Sequence, residues 1–229
     1  MQPASSRVLV VEDDDGLGAG LIGVLAGAGD EVRWAKTAAD ARRLLADAAP
    51  DLVLLDLGLP DIDGLVVCRE TGERYPDVVI VVVTARTDEA DAVRALNGGA
   101  DDFVLKPFRP VELLARLRAH LRRREIAGPV ELRSGPVRLD QRSRRAGVEE
   151  MELALRPKQH ELLAVLVSAA GEAVRREHLM DQVWAEYCTG PTRTLDVHLV
   201  NVGRKLAEAG DRWNRTMTPR GYGYRLEVD

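Results

Sequence analysis

Cysteine is nearly missing from this chain of 229 residues, which has only Cys68 and Cys188. They lie far apart in the sequence, so neither a disulfide framework nor a Cys-rich metal site can be built, and both read as simple thiols in a reducing compartment. Aromatic residues make up only 4%, which predicts aliphatic cores of Ala, Val and Leu. Long apolar runs are missing too: no uncharged window of about 18 residues occurs, and Met1–Gln2–Pro3–Ala4 opens no signal peptide. A soluble, cytoplasmic protein without a membrane partner is expected. Internal repeats and low-complexity segments are also lacking.

What is present divides into two halves. The length favours two domains, each large enough for its own core. Net charge is −5, with 16 basic against 21 acidic residues in 1–124 and 16 against 16 in 125–229. An acidic half joined to a neutral half suggests separate tasks.

From Arg7 to Arg124 apolar strands alternate with amphipathic helices. Strands are expected at 7–11, 31–35, 52–56, 78–84 and 102–106, and helices at about 15–28, 37–48, 64–74, 88–98 and 110–124. Strict β/α alternation implies a five-stranded, doubly wound parallel sheet covered on both faces. Thr37 and Asp88 are good N-caps. The first helix carries Gly16, Gly18, Gly20, Gly23 and Gly27, each costing up to about 1 kcal/mol relative to Ala, so packing or a docked partner must hold it.

The strand Leu52–Val53–Leu54–Leu55 ends at Asp56, and Val8–Leu9–Val10–Val11 ends at Glu12 and Asp13. A third strand ends at Thr84 and a fourth, Phe103–Val104–Leu105, at Lys106–Pro107. Ligands of open parallel sheets bind at this carboxyl edge. Three carboxylates together need a cation, and oxygen ligands suit Mg²⁺. Asp56 could then accept a phosphoryl group as an acyl phosphate. Lys106 and Thr84 would each engage a phosphoryl oxygen and Mg²⁺ a third. Taken singly, an acid at a strand end most often caps a helix, Lys106 is a solvated charge and Phe103 a core aromatic; their conjunction at one edge carries the argument.

The motifs "VLVVEDD" (8–14), "PDLVLLDLGLPDIDG" (50–64), "VVVTA" (81–85) and "GADDFVLKPF" (99–108) closely resemble the flavodoxin-like receiver domain of bacterial two-component response regulators. The resemblance spans 7–124. It implies Asp56 as phosphoacceptor, Glu12 and Asp13 as metal carboxylates, a Gly58 carbonyl on the metal, Thr84 and Phe103 as a switch pair, and a cis bond before Pro107. A sensor histidine kinase is the implied phosphoryl source.

Residues 125–130 break the alternation and form a linker. Beyond it, short segments at 131–134, 136–140, 143–147 and 151–155, helices at about 157–169, 175–185 and 192–208, and a closing pair at 214–217 and 222–228 suggest an α+β winged helix-turn-helix domain over 131–229. "AGEAVRREHLMDQVW" (170–184), "TRTLDVHL" (192–199), "RKL" (204–206) and "TPRGYGYRL" (218–226) resemble the output domain of the OmpR/PhoB subfamily. The helix 192–208 would read double-stranded promoter DNA in the major groove, with a wing at Arg220–Gly223. Counting from Thr194 at helical spacing gives His198, Asn201 and Lys205 as the groove face, flanked by Val197 and Arg204, with Arg193, Arg220 and Tyr222 also on DNA. Asn201 would pair with adenine. The chain departs from the pattern at Arg156, Gln159–His160 and Val200–Gly203, the last replacing a segment usually rich in arginine, so the site should lean toward A·T pairs.

The same resemblance implies a homodimer on phosphorylation. Its face would have Val93, Leu96, Leu113 and Ala115 at the centre and Asp101, Asp102, Glu112, Arg116 and Arg122 around them. Ala92 falls where the pattern has a basic residue, which predicts a weak dimer. RNA polymerase is a further expected partner. A regulator acting through a protein partner, with weak or nonspecific DNA binding, is the alternative. A phosphatase using the same pocket is disfavoured, because Gly58 stands where a second acid would be needed.

Overall fold

The computed structural model describes residues 5–121, 131–184, 193–210 and 223–226. They fall into two compact units, Met1–Leu121 and Arg122–Asp229. The expected linker at 125–130 lies outside the described residues, as do the segment 214–217, Arg122, Arg220 and Tyr222. No helix among the described residues is long and apolar enough to cross a membrane.

The first unit runs β1 (Arg7–Val11), α1 (Asp15–Gly27), β2 (Glu31–Ala35), α2 (Ala38–Asp47), β3 (Leu52–Leu55), α3 (Gly64–Arg74), β4 (Val79–Thr84), α4 (Glu89–Asn97), β5 (Asp102–Leu105) and α5 (Pro110–Leu121). The five strands form one parallel sheet in the order β2-β1-β3-β4-β5. This is the doubly wound arrangement expected from the alternation. Because side chains alternate along a strand, Val8, Val10, Leu52, Leu54, Val79, Val81 and Val83 pack with Leu21 and Leu25 of α1 and Leu113 and Leu117 of α5. The intervening Leu9, Val11, Val53, Leu55, Ile80 and Val82 are equally buried.

Thr37 and Asp88 do cap their helices, accepting from the Asp40 and Ala90 backbone N–H at 3.1 and 2.9 Å. Packing accounts for one glycine of α1, Gly18. A Cβ at Gly18 would sit 2.3 Å from the Trp34 ring, so only glycine lets the helix lie on that indole. Gly20, Gly23 and Gly27 face open space.

The second unit begins with an antiparallel sheet of β6 (Glu131–Ser134), β7 (Val137–Asp140), β8 (Arg145–Val148) and β9 (Met151–Leu153). It continues with α6 (Pro157–Ser168), β10 (Ala173–Val174), α7 (Arg176–Trp184), α8 (Arg193–Glu208) and β11 (Tyr224–Arg225). Sequence periodicity does not reveal β10, whose two residues pair antiparallel with β11. A two-residue strand is too short to show a period. Trp184, Leu162, Leu166, Leu179, Leu195 and Leu206 are central to this unit's own core.

Candidate phosphoacceptor pocket and nucleic-acid interface

Parallel pairing sets the pocket. Asp56 directly follows β3, and its backbone N–H still donates to Val11 of β1 at 2.9 Å. Glu12 follows β1 and donates to Ala35 at 3.0 Å, while Lys106 follows β5 and donates to Thr84 of β4 at 2.8 Å. These four residues therefore share one sheet edge. The Lys106 ammonium bridges Asp56 Oδ2 at 2.6 Å and Glu12 Oε2 at 2.7 Å. Gly58 donates its N–H to Asp56 Oδ1 at 3.1 Å, and the Lys106–Pro107 bond is cis.

Burial and partners set the charges. Desolvation pushes the Glu12 carboxyl above its usual range, an effect that Lys106 offsets in part and the Asp56 charge reinforces. Burial also acts upward on Asp56. There, hydrogen bonds from Lys106, the Gly58 backbone and the Thr84 hydroxyl, with the Lys106 charge, outweigh it and hold the carboxyl below the ordinary value. Burial alone would lower Lys106, yet its bonds to Asp56 and Glu12 raise it. The pocket thus keeps an ionised carboxylate beside a fixed cation. Glu12, Asp13 and Asp56 each offer a carboxylate oxygen within 4.8 Å of the others. This all-oxygen set suits a hard divalent cation.

Two features beside the pocket are invisible to sequence reading. A Cβ at Gly64 would lie 2.4 Å from the Asp56 carbonyl oxygen, so glycine lets α3 start against the Asp56 backbone. Arg86 clasps the same connection, donating to Asp63 at 3.1 Å and to the Leu57 carbonyl at 2.9 Å. These two partners precede it by more than 20 positions, and no local pattern announces them. Phe103, the expected switch partner of Thr84, is buried, as is Thr84.

The expected dimer face needs correction. Leu96, Asp101, Asp102, Leu113 and Arg116 are all buried within the unit. Asp101 accepts from the Ile80 N–H at 2.9 Å. Asp102 faces Arg116 at 3.4 Å and His120 at 3.2 Å, and Arg116 also reaches Glu112 at 3.2 Å. The reason is helix phase: Leu113, Arg116, Leu117 and His120 share the inner side of α5. Ala92 is buried as well, so it carries no argument about cross-protomer charge. Val93 and Ala115 are half-buried, and Val111 is 76% exposed.

The groove face of α8 is corrected in the same way. Thr194, His198 and Asn201 are buried, and the His198 ring packs 5.4 Å from Trp184. Lys205 is turned inward to Gln159 Oε1 at 2.7 Å and the Ala154 carbonyl at 2.5 Å. Burial and the neighbouring charges of Arg204 and Arg156 push this ammonium down to about 8. The core stripe is Leu195, Leu199, Val202 and Leu206. Each expected reader precedes one of these by a single residue and is drawn in with it. The outward stripe is one residue further round: Arg193, Val197, Val200 and Arg204, with Val200 70% exposed.

Comparison with known proteins agrees with both halves. Residues 8–118 match the family described as response regulator receiver domain, and residues 150–226 the family described as transcriptional regulatory protein, C terminal. The chain is 36% identical over 225 residues to the DNA-binding response regulator MtrA of Mycolicibacterium smegmatis, covering 98% of each. It is 39% identical over 230 residues to the sensory transduction protein RegX3 of Mycobacterium bovis, covering 97% of this chain and 99% of that one. Among solved structures it is similar to the response regulator DrrB, described as a Thermotoga maritima OmpR/PhoB homolog. The identity there is 26% and the TM-score 0.52, covering 97% of this chain and 99% of that one.

Proposed function

The chain belongs to the OmpR/PhoB family of DNA-binding two-component response regulators, and from that premise we propose that it is a phosphorylation-dependent transcription regulator rather than an enzyme. The observation that carries this reading is the Lys106 ammonium held between Asp56 and Glu12 at the sheet edge. Asp56 accepts the phosphoryl group from a sensor histidine kinase in the cytoplasm, Lys106 pairs with a phosphoryl oxygen, and Thr84 donates its hydroxyl to another. Glu12, Asp13, Asp56 and the Gly58 carbonyl would hold Mg²⁺, which when bound neutralises charge on the transferring group. Thr84 and Phe103 act as the switch pair, and promoter DNA is bound with RNA polymerase as a downstream partner. The experiment is a gel shift at several salt concentrations on a duplex enriched from a random pool, with and without acetyl phosphate. Affinity that acetyl phosphate leaves unchanged would count against phosphorylation control.

The phosphorylated chain forms a homodimer through the α4–β5–α5 side, and its contacts come from the exposed Val111 and the half-buried Val93 and Ala115 rather than from the buried charges. Val111→Asp is expected to weaken self-association in sedimentation equilibrium without shifting the unfolding midpoint. Equal dimerisation of wild type and variant would remove Val111 from the interface.

On DNA, the outward stripe of α8 and the wing at Arg220 and Tyr222 are the contact set. Val197 and Val200 meet thymine methyl groups, and Arg193 and Arg204 meet phosphates. Val200→Arg should tighten binding to all sequences, steepen the salt slope by about one unit, and shift preference toward guanine at the faced position. Asn201→Ala should instead lower the unfolding midpoint and leave base preference unchanged. If the selected sites of the Val200→Arg variant match those of wild type, the outward stripe does not read bases.

A further inference from the structure

Asp196, in the first turn of α8, has both carboxylate oxygens occupied. Arg176, the first residue of α7, donates Nη1 to Oδ1 at 2.6 Å and Nη2 to Oδ2 at 2.9 Å. The Tyr224 hydroxyl, on β11, donates to the same Oδ1 at 2.6 Å, and Arg176 Nη1 also reaches that hydroxyl oxygen at 2.6 Å. Three elements therefore meet at one carboxylate: the first helix of the helix-turn-helix, the helix that follows it, and the terminal strand.

The geometry distinguishes two roles for Asp196. A carboxylate on a groove-facing helix can accept from the cytosine amino group, and an uncompensated one repels phosphates. Here a two-point guanidinium and a hydroxyl fill three of its roughly four acceptor positions and cancel its charge. Burial acts upward on its carboxyl, but these partners hold it below the usual range, while burial and the Asp196 contact push the Tyr224 hydroxyl up to about 12. Asp196 is thus an anchor and not a reader. Among the described residues β11 pairs with β10 at Ala173 with Arg225 and Val174 with Tyr224, and the Leu226 carbonyl accepts from the Gly171 N–H at 2.7 Å. The side-chain link joins this strand to α8 in addition to its backbone pairing with β10.

We propose that Arg176, Asp196 and Tyr224 are positioning residues that tie β11 to the first turn of α8, so that α7, α8 and this strand engage DNA as one body. Sequence discrimination then depends on a hydroxyl that touches no base. The proposal rests on the DNA-reading role given to α8 above.

The test compares the full-length chain with its Tyr224→Phe and Arg176→Lys variants on two probes. One is a duplex enriched from a random pool by the wild type, and the other a random-sequence duplex of the same length. Phe keeps the ring and removes only the hydroxyl; Lys keeps the charge and removes the fork. Each variant is expected to bind the enriched duplex about tenfold more weakly, with random-duplex affinity, salt slope and unfolding midpoint near wild type. Its footprint should shorten on one side only. A wild-type ratio of the two affinities in both variants, or equal loss on both duplexes, overturns the proposal. A wild type that enriches no sequence overturns the DNA-reading role itself, and the positioning role with it.

Discussion

Incubated with acetyl phosphate and Mg²⁺, the wild-type chain is expected to gain one acid-stable, base-labile phosphoryl group, and Asp56→Asn to gain none. An Asp56 oxygen attacks phosphorus, the bond from phosphorus to the acetyl oxygen breaks, and acetate leaves with its electron pair. Of the other two carboxylates at the pocket, Glu12 carries a raised pKa and Asp13 is solvent-exposed. Asn at position 56 has no ionisable oxygen to attack with. The Asp56 carboxyl lies below the ordinary aspartate value, so it is ionised throughout the neutral range. Its contribution to the labelling rate should stay flat on raising pH from about 5 and should fall only below about 4. Intact mass with and without alkaline treatment reads the result directly. Label on Asp56→Asn at the wild-type level would mean that another residue is the acceptor.

Arg116→Ala is expected to destabilise the first unit by about 3–5 kcal/mol, because it leaves the fully buried Asp102 with one cationic partner fewer. In the full chain the transition of this unit should move down by on the order of 10 °C, while the other unit's transition stays in place. Val111→Asp, on the exposed side of the same helix, should leave the midpoint unchanged. The pH dependence has a definite sign. Burial acts to raise the Asp102 carboxyl, but the hydrogen bond and charge of His120 and the charge of Arg116 hold it below its ordinary value. A depressed folded-state carboxyl contributes stability that is present above the unfolded value of about 4 and is lost as pH falls through the folded one. Acid should therefore weaken wild type below about pH 4, and the Arg116→Ala variant should lose less over the same interval. Unchanged unfolding together with lost dimerisation would return Arg116 to the surface role that its charge suggests.

The meeting of Glu12, Asp56, Thr84 and Lys106 at one edge was legible because it follows from topology. In a parallel sheet every strand points the same way, so whatever residue ends β1, β3, β4 and β5 arrives at one edge. Apolar runs ending in Glu12, Asp56, Thr84 and Lys106 therefore fix that neighbourhood without any knowledge of packing. The two-unit fold was legible for a related reason, since the period of the apolar pattern changes after residue 130.

Helix rotation was not legible. The stripes Thr194–His198–Asn201–Lys205 and Arg193–Val197–Val200–Arg204 have identical spacing and differ by one residue, about 100° around the axis. Sequence spacing cannot choose between them; the core formed by Leu195, Leu199, Val202 and Leu206 with Trp184 does. Arg116 misled in the same way, because a charged side chain reads as surface until Asp102 is found opposite it in the interior. The Arg176, Asp196 and Tyr224 junction lay further beyond reach, since its members are 20 to 48 positions apart and sit on three elements. Local periodicity and strand order determine which elements form and which ends they share, because both act through neighbours along the chain. The side of each helix that faces inward, and which distant charges meet there, is decided only when the elements close-pack into one core.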